Sequence, residues 1–512
     1  MPEISSGNKR IARNTAFLYF RMIVVLVVAL YTTRVVLRVL GVVDYGIYNV
    51  VAGFVSMFAF LKTSLVNAAQ RFYNYETSKN GKEGRRKVYS TALVIHAFFA
   101  LVILLLLETF GLWYVNNVLV VPPDRIVAAN WLFQFSSVSS VLVIMQVPHS
   151  AVIASAEKMD YLAIVTVIVS FLRLLIAIVL PYVNTDRLIF YGFLILCVEI
   201  TGFLMYFIYA KKKFVELKYE KPVSWDLLKE MLTFSGWNVF GTFAGMMKTQ
   251  GLNMLINFFF GPAINAARGI ASQMMSALQG FSLNIVAAFR PQLVGSYAQN
   301  NFDRTRNIMF AESKICYSLV LTLLVPLIVE IDYVLNLWLG SEIPDYTPIF
   351  SFLVLLIMLV GTLNTPLTQV VHATGNLKVY LLVTSIINCL IVPVSWIFLR
   401  LGFSPTSVFV VSFVMTIINQ IASVFIVRNI FPFSLRYYLR SIVIPCLVMT
   451  VCLPILPLLL RYTMNVGFAR LVVVCVSDLL IAFLLFFYVV LAQSERKMAF
   501  QMIKEYAKRK KK

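Results

Sequence analysis

Five basic side chains lie inside stretches of the chain that are otherwise apolar: Arg21, Lys62, Arg173, Lys248 and Arg268. A positive charge in the hydrocarbon core of a bilayer is costly, and such residues usually face a partner or a water-filled cavity. Several of them together would lower the electrostatic cost of moving an anion through that core. Arg21, Lys62, Lys248 and Arg268 are candidates to line a cationic cavity, although Arg21, Lys62 and Arg268 lie close enough to the span ends to snorkel to the surface instead. We expect Arg173 to pair with Glu199 instead.

Small polar residues recur at helical spacing in three of these stretches. Asn49 and Ser56 are seven residues apart, as are Ser272 and Gln279, and Asn253 belongs to a third series. Residues so spaced share one face of a helix. Taken singly, they fit interhelical hydrogen bonds between packed membrane helices. Because three such stripes accompany basic residues, we expect them to line the polar part of the same cavity.

The stretches that carry these residues are each about as long as a bilayer is thick. A helix needs about 20 mostly apolar residues to cross the hydrocarbon core, and the chain of 512 residues is 60% hydrophobic and 13% charged. The predicted fold is an all-α polytopic membrane protein with about fourteen transmembrane helices. The predicted spans are Thr15–Leu40, Tyr45–Val66, Val88–Gly111, Ala128–Ile153, Tyr161–Val183, Leu188–Ala210, Met231–Phe260, Ala263–Phe289, Lys314–Asp332, Tyr346–Val371, Val379–Leu401, Pro405–Val427, Tyr438–Leu460 and Gly467–Ala492.

The net charge of +21 follows the predicted topology. If the N-terminus is cytoplasmic, most of the 44 Lys and Arg residues fall in the two tails and in the even-numbered connections. This is the positive-inside bias of membrane proteins. The basic segments would attract anionic lipid headgroups. We therefore predict cytoplasmic N- and C-termini, with membrane lipids rather than nucleic acid as partners.

The chain also repeats itself at a shift of 219 or 220 residues. Arg71 falls on Arg290, and Gly41 falls on Gly261. Because six spans fill one period, the two copies enter the membrane in the same sense and form parallel pseudo-repeats. The predicted organisation is an N-terminal lobe of six spans (1–212), a cytoplasmic link (213–230), a C-terminal lobe of six spans (231–430), two additional C-terminal helices (431–495) and a basic cytoplasmic tail (496–512).

Residues that could bind a metal or perform covalent chemistry are scattered along the chain. The six cysteines lie in apolar spans without ligand spacing, and the three histidines are far apart in sequence. Such cysteines are expected to pack as small hydrophobic residues. The sequence therefore predicts no enzyme activity, no catalytic residue, no cofactor and no metal site.

The opening of the chain resembles a known family. Asn14-Thr15, Arg34 and Arg38, followed by Leu40-Gly41-x-x-Asp44-Tyr45-Gly46-Ile47-Tyr48, resemble the start of polysaccharide or O-antigen (Wzx-type) flippases. These belong to the multidrug/oligosaccharidyl-lipid/polysaccharide (MOP) exporter superfamily. The resemblance covers essentially the whole chain, and it is more specific for the family than for a substrate.

The resemblance implies a flippase of the bacterial cytoplasmic (inner) membrane that serves polysaccharide biosynthesis, such as capsule or O-antigen export. It would translocate undecaprenyl-diphosphate-linked oligosaccharides by alternating access through a cationic central cavity. Spans one, two, seven and eight would line this cavity, and they carry Arg21, Lys62, Lys248 and Arg268. Expected partners are the lipid-linked oligosaccharide, a coupling ion (H⁺ or Na⁺) and the polysaccharide polymerase machinery.

Three other functions compete with this one. A lipid II flippase also has fourteen spans and a cationic cavity. A MATE-like drug or cation antiporter has two six-helix lobes, but it normally carries an acid near its first span, where this chain has Arg21. A membrane polysaccharide polymerase or glycosyltransferase usually has a large loop outside the membrane, which this chain lacks.

Overall fold

The structure is a computed structural model that describes residues 2–156, 158–219, 225–340, 342–491 and 495–496. Within the helices, the side chains of residues 2–23, 59–64, 67–68, 78, 159, 234–241, 284, 287–288 and 291 lie outside the described part. Arg21 and Lys62 belong to this group, so the structure describes their backbone positions on helices but not their side chains.

Regular structure in the described residues is helical throughout. The first ten α-helices are α1 Pro2–Ser56, α2 Ala59–Leu106, α3 Leu112–Asn117, α4 Ile126–Met145, α5 Val147–Ser155, α6 Met159–Val179, α7 Arg187–Lys213, α8 Trp225–Met246, α9 Leu252–Phe260 and α10 Pro262–Ala298. The others are α11 Phe302–Val329, α12 Ile331–Leu339, α13 Thr347–Thr362, α14 Asn364–Thr374, α15 Lys378–Arg400, α16 Thr406–Ile430, α17 Leu435–Tyr438, α18 Ile444–Cys452, α19 Ile455–Thr463 and α20 Phe468–Leu485. Short 3₁₀ turns lie at Pro123–Arg125 and Leu180–Tyr182, and π-helical turns lie at Leu107–Gly111, Met247–Gly251, Leu439–Val443 and Phe486–Val490.

The protein is a multi-pass membrane protein. Its described residues contain 11 helical segments that are long and apolar enough to cross a bilayer. One of these segments, Val24–Ser56, contains parts of two predicted spans, because α1 continues through a break at Gly41. The count of fourteen spans stays a prediction.

The chain forms two compact units. The first unit comprises Met1–Ile270, Ser341–Thr347 and Asn388–Val408. Its apolar core is built from α1 to α7 and from Met231 on α8, with Ile47, Phe54, Tyr73 and Phe133 among the buried side chains. The stacked rings of Phe54 and Tyr114, 4.7 Å apart, lie within this core.

Two glycines of the first unit break helices in the same way. Gly41 has φ 77° and ψ 170°, and Gly261 has φ 74° and ψ −174°. Residues with a Cβ rarely adopt this conformation, so glycine is required at both turns. The sequence repeat assigns these two glycines to equivalent positions, and they share one backbone conformation. The equivalence of the complete repeats stays a prediction.

The second unit comprises Ala271–Gly340, Pro348–Ile387 and Phe409–Lys512. Its central helix, α11, begins at Phe302, well before the predicted span start at Lys314. The earlier start brings Glu312 and Lys314 into the buried part of the helix. Lys314 Nζ bonds both carboxylate oxygens of Glu495 at 2.9 Å. Burial of Lys314 is therefore compensated by an ion pair that the span prediction did not include.

Candidate functional site

Asparagines predicted on three different spans contact one another inside the first unit. Asn253 Nδ2, on α9, donates to the carbonyl of Asn49, on α1, at 3.0 Å. Asn265 Nδ2, on α10, donates to Asn253 Oδ1 at 2.6 Å. Asn253 and Asn265 are buried. We call Asn49, Asn253 and Asn265 the asparagine contact.

A second polar pair extends this contact along α1. Gln250 Nε2 donates to Ser56 Oγ at 3.1 Å, and Ser56 Oγ in turn donates to the Gly53 carbonyl. Further along α9, Asn257 bonds the backbone N–H and C=O of Val120 at 2.9 and 3.2 Å. In this structure, Asn49, Ser56 and Asn253 therefore join α1 to the segment 247–260.

The helices approach closely enough at these contacts to exclude larger residues. A Cβ at Gly46 would lie 1.9 Å from the carbonyl oxygen of Pro262, and one at Gly269 would lie 2.6 Å from Asn49 Oδ1. Both distances are far below van der Waals contact. Gly46 belongs to the opening motif, so one glycine of that motif is required by helix packing.

The side chain of Arg268 points away from the start of α10 and towards the middle of the membrane-length helix. It lies six residues after the start of α10, about 9 Å along the helix. Its Nη2 donates to the carbonyl of Thr249, which lies eleven residues before the end of α9, about 16 Å from that end. The guanidinium therefore extends away from the end marked by Gly261. It does not snorkel towards the nearest helix terminus.

The electrostatic environment of Arg268 is unusual. Its Nε is buried without a hydrogen-bond partner among the described residues, and none of the ion pairs described there includes it. The carbonyl that it does contact belongs to the π-helical turn Met247–Gly251, which also contains Lys248. Such turns inside helices frequently mark functional sites. Two of the four predicted cavity cations are therefore associated with one turn.

The remaining predicted cavity residues are described in part. Ser272 and Gln279 follow Arg268 on α10, where Ser272 is half-buried and Gln279 is exposed. Arg21 lies on α1 and Lys62 on α2, and their side chains are outside the described residues.

The first unit also contains a cavity of about 260 Å³ that the sequence did not predict. Arg173 and Glu199 line it, together with Tyr48, Ser56, Ser136 and Ser140. Arg173 Nη2 contacts Glu199 Oε1 at 2.8 Å, which confirms the predicted pair. The Arg173 side chain is 49% exposed although it lies in mid-span, because it borders this open space. Glu199 neutralises the charge of Arg173, so this largely apolar cavity contains a closed ion pair rather than an available cation.

A charged cluster fixes the end of the first unit that carries Gly41, Val120 and Gly261, which we call the Gly41 end. Arg125 donates to both carboxylate oxygens of Asp44, at 2.8 and 2.6 Å, and to Asp186 at 2.6 Å. Asp186 also caps α7 by accepting from the N–H groups of Leu188 and Ile189. Partial burial raises the pKa of Asp186, but the bonds from Arg125 and from these backbone N–H groups outweigh it and hold the pKa below the ordinary value.

Sequence reasoning missed the cluster at the Gly41 end. The only available signal was Asp44 in the opening motif, whose partners lie 81 and 142 residues further along the chain. We call Asp44, Arg125 and Asp186 the Arg125 cluster.

Acids in or next to the membrane-length helices differ in how well they are paired. Glu108 accepts a bond from Gln134 at 3.0 Å, and in the second unit Glu330 contacts Arg470 at 2.6 Å. Glu312 accepts a bond from Gln369 at 2.6 Å. Asp478 is fully buried, and neither of its carboxylate oxygens has a hydrogen-bond partner in the described part of the chain. Among these acids, Asp478 is the one without a described partner.

Metal-binding groups were not found among the described residues, where no three His, Cys, Asp or Glu side chains come together. All six cysteines are free thiols.

No family model and no curated protein sequence matches the chain, but solved structures match its fold. The lipid II flippase MurJ, in an inward closed conformation, is similar with a TM-score of 0.65 and 13% identity, over 91% of this chain and 97% of that one. An inward-facing MATE family multidrug resistance transporter of the MOP superfamily is similar with a TM-score of 0.61 and 13% identity, over 81% and 94%. Its outward-facing conformation gives a TM-score of 0.57. The chain therefore has the fold that these membrane transporters share.

Proposed function

We propose that the protein is a flippase that moves a polyprenyl-diphosphate-linked oligosaccharide across the bacterial cytoplasmic membrane. One observation carries this proposal: Arg268, inside a membrane-length helix, directs its guanidinium to the Thr249 carbonyl and has no acidic partner among the described residues. A charge held in this way is available to an anionic ligand.

A diphosphate has the chemistry that these basic groups would recognise. A guanidinium donates two parallel bonds to phosphate oxygens, and an ammonium acts as a compact point charge. Phosphate oxygens would replace the Thr249 carbonyl at Arg268 and would use Lys248 on the same turn. We propose that Arg21 and Lys62 complete the cationic cavity, with Ser272 and Gln279 among the groups that bond the sugar hydroxyls.

The asparagine contact would then serve as a closure of the Gly41 end. We propose that this end faces the periplasm, and that both termini and the segment 213–230 face the cytoplasm. Substrate could leave towards the periplasm only after the bonds from Asn253 to Asn49 and from Asn265 to Asn253 had broken. Lobes at 1–212 and 231–430, with two further helices at 431–495, are the organisation that we propose for this alternating access.

The extent of the structural similarity favours a flippase of lipid-linked substrates over a multidrug antiporter. The similarity to the lipid II flippase MurJ covers 91% of this chain, whereas that to the MATE transporter covers 81%. Lipid II itself remains the alternative substrate. A coupling ion, H⁺ or Na⁺, and contact with the polysaccharide polymerase machinery belong to the same proposal.

The test is export of lipid-linked glycan in a flippase-deficient strain, normalised to the amount of inserted protein. We expect Lys248→Ala and Arg268→Ala each to lower export at near-normal protein levels, and Lys248→Arg to be milder because it retains the charge. Lys248→Ala/Arg268→Ala should abolish export. The matched control is Arg400→Ala, which removes an exposed cation that lies over the Trp396 ring.

Full export by the double variant would overturn the cationic-cavity mechanism. Rescue of a strain that lacks its lipid II flippase, with no rescue of glycan export, would instead assign lipid II as the substrate.

A further inference from the structure

We propose that a groove between the ends of α6 and α7 binds the headgroup of an anionic glycerophospholipid that stays with the protein. The groove has a volume of about 450 Å³ and is lined by Tyr161, Met205, Ile208, Tyr209, Lys212 and Lys213. Its lining residues lie on α6 and α7 of the first unit, and the proposal does not depend on what the protein transports.

The aromatic wall of the groove is rigid. The rings of Tyr161 and Tyr209 stack with centroids 3.7 Å apart and an interplanar angle of 15°. The Tyr161 hydroxyl donates to the carbonyl of Met205 at 2.9 Å, so its ring cannot swing away. Tyrosines placed in this way are typical of the membrane–water boundary, where the ring is apolar and the hydroxyl is hydrated.

The basic wall contains two of three consecutive lysines, and the third shows why this arrangement is informative. Lys211 turns into the protein, where its Nζ donates to the Leu217 carbonyl and lies 5.0 Å from the centre of the Tyr89 ring. Lys212 and Lys213 are exposed, and no ion pair in the described part of the chain includes them. A favourable position at a helix C-terminus would explain all three lysines. It would not explain why two of them face a groove.

The groove continues into an exposed apolar surface on α6 and α7. Leu204 and Ile208 on α7 are 44% and 47% exposed, and Ile164 on α6 is 48% exposed. The 27 residues of α7 extend about 40 Å, against a hydrocarbon core of about 30 Å, so the last turn of α7 reaches the headgroup region. An acyl chain would follow these side chains, while the phosphate contacts the lysines.

Charge selects the class of lipid. Lys212, Lys213 and Lys158 outnumber the two acidic residues close to Lys158 in the sequence, Glu157 and Asp160. Basic pockets beside membrane helices bind anionic headgroups, and each lysine near the surface strengthens the interaction. A zwitterionic headgroup would place an ammonium beside these lysines and would be bound less well.

The test is native mass spectrometry of the full chain in detergent, titrated with phosphatidylglycerol or phosphatidylcholine. We expect the wild type to retain phosphatidylglycerol preferentially, and Lys212→Ala/Lys213→Ala to weaken that binding by about tenfold or more. The control is Lys79→Ala/Lys82→Ala, which removes two exposed charges from other positions and should retain wild-type binding. Thermal unfolding of all variants verifies that they fold.

Three results would overturn the proposal. Equal weakening by the two double variants would mean that the attraction is spread over the basic surface. Displacement of phosphatidylglycerol by millimolar inorganic phosphate would mean that the groove binds free phosphate. Preferential binding of undecaprenyl phosphate, lost in Lys212→Ala/Lys213→Ala, would mean that the groove receives substrate rather than a resident lipid.

Discussion

Two arginines of the first unit have opposite surroundings. Arg125, at the Gly41 end, contacts carboxylates from two other segments, Asp44 and Asp186, within 2.6 Å. Arg268, inside the helix that follows Gly261, contacts a backbone carbonyl and keeps a buried Nε without a described partner. Both are arginines close to a helix end, but only Arg268 lies inside a predicted apolar span.

The difference shows how structural and functional cations can be separated. A guanidinium whose N–H groups are bonded to carboxylates holds chain segments together. Its charge is already neutralised and is not available to a ligand. A guanidinium bonded only to neutral oxygen atoms keeps its charge available to an anion. Its burial costs desolvation free energy, which packing must compensate. Arg173, paired with Glu199 beside a cavity, is intermediate between the two.

The largest effect is expected at the Arg125 cluster. Arg125→Met keeps the length of the side chain but leaves two carboxylates without their cation. Removing one partner of a buried ion pair costs about 3 kcal/mol or more, and the loss here should be smaller because the Arg125 cluster is only partly buried. We expect a lower unfolding temperature in detergent and less inserted protein, with normal transport per folded molecule. Normal stability combined with lost transport would contradict a structural role for Arg125.

The same substitution at Arg268 should give the reverse result. Arg268→Met removes one bond to a neutral carbonyl and a buried N–H without a described partner, so its unfolding temperature should stay close to that of the wild type. Binding of undecaprenyl diphosphate should weaken about tenfold or more, because hydrogen bonds between charged groups contribute about 1.5–3 kcal/mol. Binding of uncharged undecaprenol is the control. If both lipids lost affinity equally, the charge of Arg268 would not be the cause.

The sequence predicted the helices and the polar faces better than it predicted what those faces contact. The length of the apolar stretches predicts the membrane helices. The regular spacing of polar residues placed Asn49 and Asn253 each on the polar face of its own helix. Their spacing could not show that these two residues would bond to each other. The Arg173–Glu199 pair was predictable because few charges lie in adjacent spans, and the structure confirms it.

The Arg125 cluster and the π-helical turn at Met247–Gly251 were beyond sequence reasoning for physical reasons. The cluster joins three connections that are distant along the chain, and no local periodicity marks such a contact. A π-helical turn depends on how the helix packs against its neighbours. The residue types of Met247–Gly251 do not predict one.

A smaller effect is expected at the asparagine contact, where the hydrogen bonds join uncharged groups. Asn253→Leu keeps the approximate volume but removes the donor to Asn49 and the acceptor for Asn265. Each neutral hydrogen bond contributes about 1 kcal/mol, so the Gly41 end should open more often. In a cysteine-free background, a cysteine introduced at Ser56 should react several-fold faster with a membrane-impermeant thiol reagent added from that side. An unchanged rate would mean that the asparagine contact does not restrict access.

The smallest effect concerns the charge of Asp186, which also gives the Arg125 cluster a pH dependence. The pKa of Asp186 is lower in the folded protein than its ordinary value of 3.8. Its ionised form therefore contributes stability that is fully present above pH 3.8 and is lost as the pH falls through the folded pKa. Asp186→Asn retains an N-cap for α7 but has no charge to titrate.

At pH 6 the wild type should unfold a few degrees above Asp186→Asn, and this difference should shrink as the pH is lowered from 4 to 3. Because Asp44 is present in both proteins, their difference at each pH reports the Asp186 carboxylate together with its interaction with Asp44. A difference that stays constant down to pH 3 would mean that the bond to Arg125 does not depend on the charge of Asp186. The contrast between a carboxylate-saturated arginine and an available one would then rest on Asp44 alone.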